Sequence, residues 1–158
     1  MKLYIKTANS YRLADAQTVC DTATDYALDA LKRQSDPLTS PDAMRDFLRV
    51  HYATAEREIF SIFLLDNQNQ LIAVETPFFG TIDSATIHTR ELVKLALTHN
   101  ASAMILAHNH PSGNPEPSRE DQRITRRITD ALALVDVRVL DHFIVGTEII
   151  SFAERGLI

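Results

Sequence analysis

Only one cysteine, Cys20, occurs in the 158 residues. That excludes an intramolecular disulfide and any zinc site built from several thiolates. Cys20 falls on the apolar side of a segment with helical preference. A small buried side chain is the plain reading there, and a nucleophile its rival. No apolar run approaches the ~18 residues of a membrane span. The start, MKLYIKTANSYR, has neither the apolar run nor the small-residue cleavage site of a secretory signal. A soluble, cytoplasmic protein with no membrane partner is expected. Positive charge is also short: 16 Lys and Arg stand against 21 Asp and Glu, for a net charge of -5. That balance disfavours broad nonspecific binding to nucleic acid, while leaving room for a local basic patch. Internal repeats and low-complexity segments are missing too.

Apolar residues make up 45% of the chain, enough for a core. The length fits one domain, or one domain with an appendage. Residues 1–12 read as a short strand or arm. From Ala14 to about Arg33 a helix is expected, with Val19, Ala23, Tyr26, Ala27 and Leu31 on one side. Gln34 to Asp42 reads as a linker, and Ser40-Pro41 as an N-cap followed by proline at the first helical position of a helix to Tyr52. REIFSIFLL, Arg57 to Leu65, is apolar on both alternating faces, which suits a central strand. With the turn at Asp66 to Asn69 and a return over Gln70 to Thr76, it forms an antiparallel hairpin. A loop is expected from Phe78 through Thr81 and the polar residues beyond. Thr89 to Thr98 reads as a helix ending near Asn100, and Ser102 to Ala107 as a strand. Ser118 to Val135 reads as a long helix, followed by strands at Val137 to Val145 and Glu148 to Phe152. The order predicts an α/β or α+β domain with helices packed on a mixed sheet.

Turn chemistry is concentrated in AHNHPSGNPEPSRED, Ala107 to Asp121. His108 and His110 lie two residues apart at the end of an apolar strand, so their side chains share a side. Two imidazole nitrogens can then reach one metal at about 2.0–2.1 Å. The rival reading is two polar loop residues. Ser118 and Asp121 resemble a capping box, with Ser118 as N-cap and Asp121 at N3. Yet Asp121 shares its helical face with Ile124, Thr125, Ile128, Leu132 and Val135. A carboxylate on that apolar face is costly without a partner, and a cation would resolve the cost. Capping and ligation are compatible. Two histidines and one carboxylate leave a fourth zinc position for water, the pattern of catalytic sites. Zinc lowers the pKa of such a water toward ~7. A hydrolase needs a base as well. Glu58, leading the apolar strand on the side of Phe60, Ile62 and Leu64, is the candidate, with Glu56 and Glu75 as weaker competitors. Ser118 is the candidate donor to an oxyanion.

These residues resemble the JAMM motif of MPN-type metallopeptidases: His-x-His, ten residues, then Asp, with Ser three before it. The longer string HNHPSGNPEPSRED is similar to the RadC-like bacterial branch. So are EREIFSIFLLD upstream, TRELVKLAL before the motif strand and VLDHFIVG after the long helix. The resemblance runs from Leu38 to the C-terminus. It implies an MPN domain over residues 38–158, with a cytidine deaminase-like arrangement of helices around a mixed β-sheet, preceded by an arm and helix over 1–37. It implies one zinc per chain held by His108, His110 and Asp121, with Glu58 as acid/base and Ser118 supporting the oxyanion. Asn109 stands where many eukaryotic relatives have Ser or Thr. RadC-like proteins often carry an N-terminal helix-hairpin-helix-like domain. No glycine precedes Gly80 here, so the glycine-containing hairpin of that motif is not expected in residues 1–37, and a DNA partner is the weaker expectation. Although His108-Asn109-His110 spells HNH, the residues that name HNH nucleases are spread along a different metal fold.

The leading expectation is a zinc-dependent hydrolase acting on a peptide or protein substrate at a peptide or isopeptide amide. A metal-bearing accessory domain that binds DNA or protein without turnover is the alternative, and a nuclease or other hydrolase at the same metal is a third. Asp141-His142 reads either as support for a ligating histidine or as a strand-end pair. His51, His88 and His99 have no spacing partner and read as surface or capping residues. Arg119, Arg123, Arg126 and Arg127 read as a solvated face, with a phosphate-binding patch as rival.

Overall fold

The computed structural model describes residues 2–33, 41–80 and 87–158. An antiparallel ribbon of β1 (Tyr4–Lys6) and β2 (Tyr11–Leu13) precedes helices α1 (Ala16–Arg33) and α2 (Pro41–His51). Then follow β3 (Ile59–Leu65), β4 (Leu71–Phe79), α3 (Thr89–Thr98), β5 (Ala103–Asn109), α4 (Arg119–Ala133), β6 (Arg138–Val145) and β7 (Ile149–Ser151). The last five strands form one sheet in the order β4-β3-β5-β6-β7. Within it β5 and β6 run parallel and the other neighbours antiparallel. A parallel pair needs a long crossover, and α4 supplies it. The mixed α/β class expected from the element order is the class found.

Both faces of the sheet are covered, which explains the unbroken apolar runs in β3 and β5. On one face Phe60, Ile62, Leu64, Met104 and Leu106 meet Leu92 and Ala96 of α3 and Ile124, Ile128 and Leu132 of α4. On the other, Phe63, Leu65, Ile105 and Phe143 meet Met44, Phe47 and Leu48 of α2 and Leu31 of α1. Buried Tyr52 ties α2 to the sheet by donating its hydroxyl to the Ala107 carbonyl at 3.0 Å. No helix among the described residues is long and apolar enough to cross a membrane.

One irregularity matters for the site. The β5–β6 ladder pairs Met104 with Val139 but Ile105 with Asp141, skipping Leu140. Val139 faces the α3/α4 side, whereas Leu140, Phe143 and Val145 pack on the α2 side. An extra residue in one strand exchanges the faces of everything after it. The bulge at Leu140 therefore turns His142, and not Asp141, toward α4.

Several sequence expectations need correction. β4 continues through Phe79, where a loop was expected from Phe78. β5 extends to Asn109, so His108 lies within the strand. Tyr26, assigned to the inner side of α1, is 73% exposed. The linker expected at Gln34 to Asp42 falls outside the described residues up to Ser40, the expected cap, and so does the loop expected after Gly80. α2 begins at Pro41, as its fixed φ favours.

Ile128 is fully buried between α4 and the sheet. Ile128→Ala is expected to cost about 2–5 kcal/mol, seen as a lower urea midpoint at unchanged slope; a loss below about 1 kcal/mol would contradict this packing.

Candidate metal centre

The site lies where β5 ends, beside the start of β3 and the first turn of α4. His108 is the sixth residue of β5 and fully buried, with the Phe60 ring stacked on its imidazole at 6.0 Å between centroids. His110 follows the strand, tied by its backbone N–H to the Val145 carbonyl at 2.8 Å. The two Nε2 atoms lie 3.0 Å apart. From the helix side, Asp121 Oδ1 stands 3.2 Å from Nε2 of His108 and Oδ2 stands 3.6 Å from Nε2 of His110. Glu58 approaches the histidines from the start of β3: one ligand atom each from Glu58, His108 and His110 lie within 4.8 Å of one another.

Asp121 serves the helix and the cavity at once. Ser118 caps α4, its Oγ accepting from the Asp121 N–H at 3.0 Å, while its own N–H donates to Asp121 Oδ2 at 2.7 Å. This is a reciprocal capping box with Asp in the place Glu or Gln usually takes. Oδ1 is buried, makes no hydrogen bond, and faces the imidazoles. Asp121, Ile124, Thr125, Ile128 and Leu132 are all buried on the face assigned to them by helical spacing.

Donor chemistry tests whether a cation fits. His110 Nδ1 lies 2.7 Å from the Asn114 carbonyl, which can only accept. Nδ1 therefore carries a proton, and in the neutral ring Nε2 keeps its lone pair toward His108 and Asp121. Burial pushes the His108 pKa below its ordinary value and keeps the ring neutral, against the Asp121 carboxylate that raises it. Burial also pushes the Asp121 carboxyl up, and the bonds with Ser118 pull it down. Lone pairs and an anionic oxygen facing one another at these distances repel unless a positive charge sits among them. Two imidazole nitrogens and carboxylate oxygen make a donor set that suits zinc.

The backbone around Glu58 is held from two sides. Asn109 Oδ1 accepts from the Ile59 N–H at 2.8 Å, and Asn109 Nδ2 donates to the Arg57 carbonyl at 3.0 Å. The Gly80 N–H donates to the Glu58 carbonyl at 2.9 Å. The middle residue of His-x-His thus fixes both neighbours of Glu58, a link that chain order gives no hint of. Of its competitors, Glu56 is exposed, and Glu75 lies 3.4 Å from His99.

The pair Asp141-His142 is split between the two sides of the sheet. His142 is fully buried, with Nε2 2.8 Å from His108 Nδ1 and Nδ1 2.6 Å from Thr125 Oγ1. Asp141 instead accepts from the His142 and Ala153 N–H groups and the Ser151 hydroxyl. Sequence left this pair open because the Leu140 bulge decides it. His51, read as a surface or capping residue, is half-buried and bonded to Ser61 Oγ at 3.1 Å. His99 pairs with Glu75, and His88 is exposed at the start of α3. Cys20 is half-buried. Arg119, Arg123, Arg126 and Arg127 are exposed on α4, with Arg123 bonded to Glu120.

Gly146 seats the motif loop. A Cβ there would lie 2.6 Å from the Gly113 carbonyl oxygen and 2.8 Å from the Pro115 nitrogen. That close approach holds the stretch containing Asn114, whose carbonyl orients His110.

Comparison with known proteins follows the same residues. The description RadC-like JAB domain matches residues 38–157. A UPF0758 protein of Thioalkalivibrio sulfidiphilus is 52% identical over 149 residues, covering 94% of this chain and 66% of its own. A UPF0758 protein of Vibrio atlanticus is 56% identical over 143 residues, covering 90% and 63%. One of Cellvibrio japonicus is 58% identical over 122 residues, covering 77% and 54%. The chain spans about two thirds or less of the length of these relatives.

Two outcomes test the site's chemistry. Asp121→Asn keeps an oxygen for the Ser118 N–H but removes the charge facing the histidines. It should leave thermal stability of the metal-free protein within about 1 kcal/mol of the wild type, a cap effect at most, while metal affinity falls at least about tenfold. Equal losses of both, or of neither, would contradict the division of labour between the two oxygens. Burial lowers the pKa of His51, His108 and His142 in the folded chain. The unfolded chain therefore binds more protons below about pH 6.5, and stability must fall as pH drops through that value. Urea midpoints of metal-free protein should be lower at pH 5.5 than at pH 7.5; a midpoint that rises on acidification would show the rings to be charged in the fold.

Proposed function

The chain belongs to the RadC-like JAB domain family, and on that footing we propose that it is a zinc-dependent hydrolase of peptide or isopeptide amides. The observation that carries the reading is the convergence of His108 Nε2, His110 Nε2 and the buried, unbonded Asp121 Oδ1, with Glu58 in reach. His108, His110 and Asp121 hold the metal. A bound zinc ion supplies a Lewis acid and lowers the pKa of water beside it.

The chain's own groups do the rest. Glu58 sits within one water's reach of the ligand nitrogens, takes a proton from the attacking water and delivers it to the leaving nitrogen. Its backbone is clamped by Asn109 and Gly80, so its carboxylate starts from a fixed point. The Ser118 Oγ accepts from the Asp121 N–H, and its hydroxyl proton remains for a developing oxyanion. Phe60 and the buried side of the cluster keep water from behind His108.

The test uses tag-free protein and a panel of fluorogenic peptide and isopeptide amides. Wild type should hold about one zinc per chain and Asp121→Ala little, while Glu58→Gln keeps the metal and loses about 10²–10⁴-fold in hydrolysis. Folded wild type that takes up no zinc, or Glu58→Gln cleaving at the wild-type rate, would overturn the proposal. Loss of zinc from Glu58→Gln would make Glu58 a ligand and not the base.

A further inference from the structure

The buried side of the site contains a chain of polar contacts that the proposed reaction does not use: Asp121 carbonyl, Thr125 hydroxyl, His142 ring, His108 ring. Its protons can be assigned by elimination. Thr125 Oγ1 lies 2.6 Å from the Asp121 carbonyl oxygen and 2.6 Å from His142 Nδ1. Each contact is that of a hydrogen bond and needs one proton. A carbonyl oxygen has none to give, so the hydroxyl proton goes to it, the usual back-bond of a helical threonine to the residue four before. The second proton must come from His142, which is therefore protonated on Nδ1. The ring is fully buried and its two nitrogens meet a hydroxyl and another imidazole, with no anion at either to hold a second proton, so it carries this one proton and Nε2 has a lone pair. That lone pair lies 2.8 Å from His108 Nδ1. The bond needs a proton, and His108 must supply it.

We infer that His142, locked by Thr125, is a positioning residue that fixes the proton of His108 on Nδ1 and so directs the Nε2 lone pair of His108 into the metal cavity. The opposite assignment fails on both counts. A His142 protonated on Nε2 would force the His108 proton onto Nε2, facing Nε2 of His110 and blocking ligation. It would also leave the Thr125 hydroxyl to serve two acceptors with one proton. The partners also set where the ring stands. His108 has Phe60 stacked on its face and His142 behind it, and the His142 ring lies against Phe60 and Phe152. The lock runs through α4: Thr125 follows Asp121 by one helical turn and Asp121 provides the carbonyl. The helix that presents one ligand thus sets the proton of another.

This inference rests on the metal-site reading above, and its test separates the two. Nitrogen-15 spectra of the histidine rings are recorded on metal-free wild type at pH 8. They should show His142 protonated on Nδ1 and bare on Nε2, and His108 protonated on Nδ1. A proton on His142 Nε2 overturns the inference whatever metal does. Zinc affinity is then measured by competition with a chelating dye. Partners of this kind are worth about 10–100-fold in affinity, so His142→Met and Thr125→Val should weaken zinc binding by that order, and His142→Gln, whose carbonyl can still accept from His108, should restore it to within about threefold. The Gln rescue is the outcome a packing role would not give. His142→Met binding zinc as wild type does, with a wild-type thermal midpoint, would overturn the inference; if that variant does not fold, Thr125→Val and the wild-type spectra decide. Wild type that binds no zinc at all sinks the hydrolase proposal and removes the purpose assigned to the lock, even where the spectra show the protons as assigned.

Discussion

A buried carboxylate with two oxygens in different employment is the constraint on which the rest depends. Asp121 sits in the first turn of α4, 1% exposed. Oδ2 closes the helix cap with Ser118, and Oδ1 faces two imidazoles. The helix needs an anion near its positive end, and the cavity needs one to balance a cation. One side chain meets both needs, so the start of α4 and the end of β5 cannot move independently. The loop between them is sewn to the β6–β7 turn as well, by His110 N–H to the Val145 carbonyl and Thr147 N–H to the Gly113 carbonyl, and is closed on itself by Gly113 N–H to the His110 carbonyl. Gly146 makes that seam possible by leaving room for the loop backbone. The prolines and glycine of the motif are thus parts of a fixed bracket.

The antiparallel neighbour brings the fourth polar group. Phe60 pairs with His108 across the β3–β5 ladder, which leaves Glu58 just beyond the ladder's end and beside the histidines. Strand alternation would orient it loosely there, but Asn109 bonds to the residues on both sides of it. A two-residue spacing between the histidines therefore does two jobs. It puts both rings on one side of β5, and it points the residue between them across to β3.

How much of this could be read from the chain alone depended on how local the cause was. α3 was legible to the residue, because its apolar positions repeat at helical spacing and Asn100, with φ of 52°, ends it. The inner face of α4 was legible for the same reason, and so was the side of β3 on which Glu58 lies. The role of Asp141-His142 was not. It depends on a one-residue bulge at Leu140, and nothing in VLDHFIVG distinguishes a bulged strand from a regular one. The partners of Asn109, His51 and His99 were hidden too, since each lies across the sheet or on another element. Tyr26 misled because period alone cannot tell an inner position from the flank of a helix packed on one side.

Burial grades across the site in a way that suits its chemistry. His142, His108 and Asp121 are almost wholly enclosed, whereas His110 and Glu58 are half-buried at the edge. Enclosure disfavours a charged imidazole, and that keeps nitrogen lone pairs available where a cation would need them. The same enclosure would make an isolated carboxylate expensive, and the cap bonds with Ser118 offset that cost for Asp121. The neutral rings of His108 and His142 beside the capped Asp121 carboxylate give the rear of the cavity a negative field. The edge, by contrast, holds the half-buried His110 and Glu58 and the exposed Ser118. An enclosed rear and a more open front follow from a single placement: the cluster sits at the end of a sheet whose body is covered on both faces, so the proposed chemistry has its fixed protons behind and its exchanging ones in front.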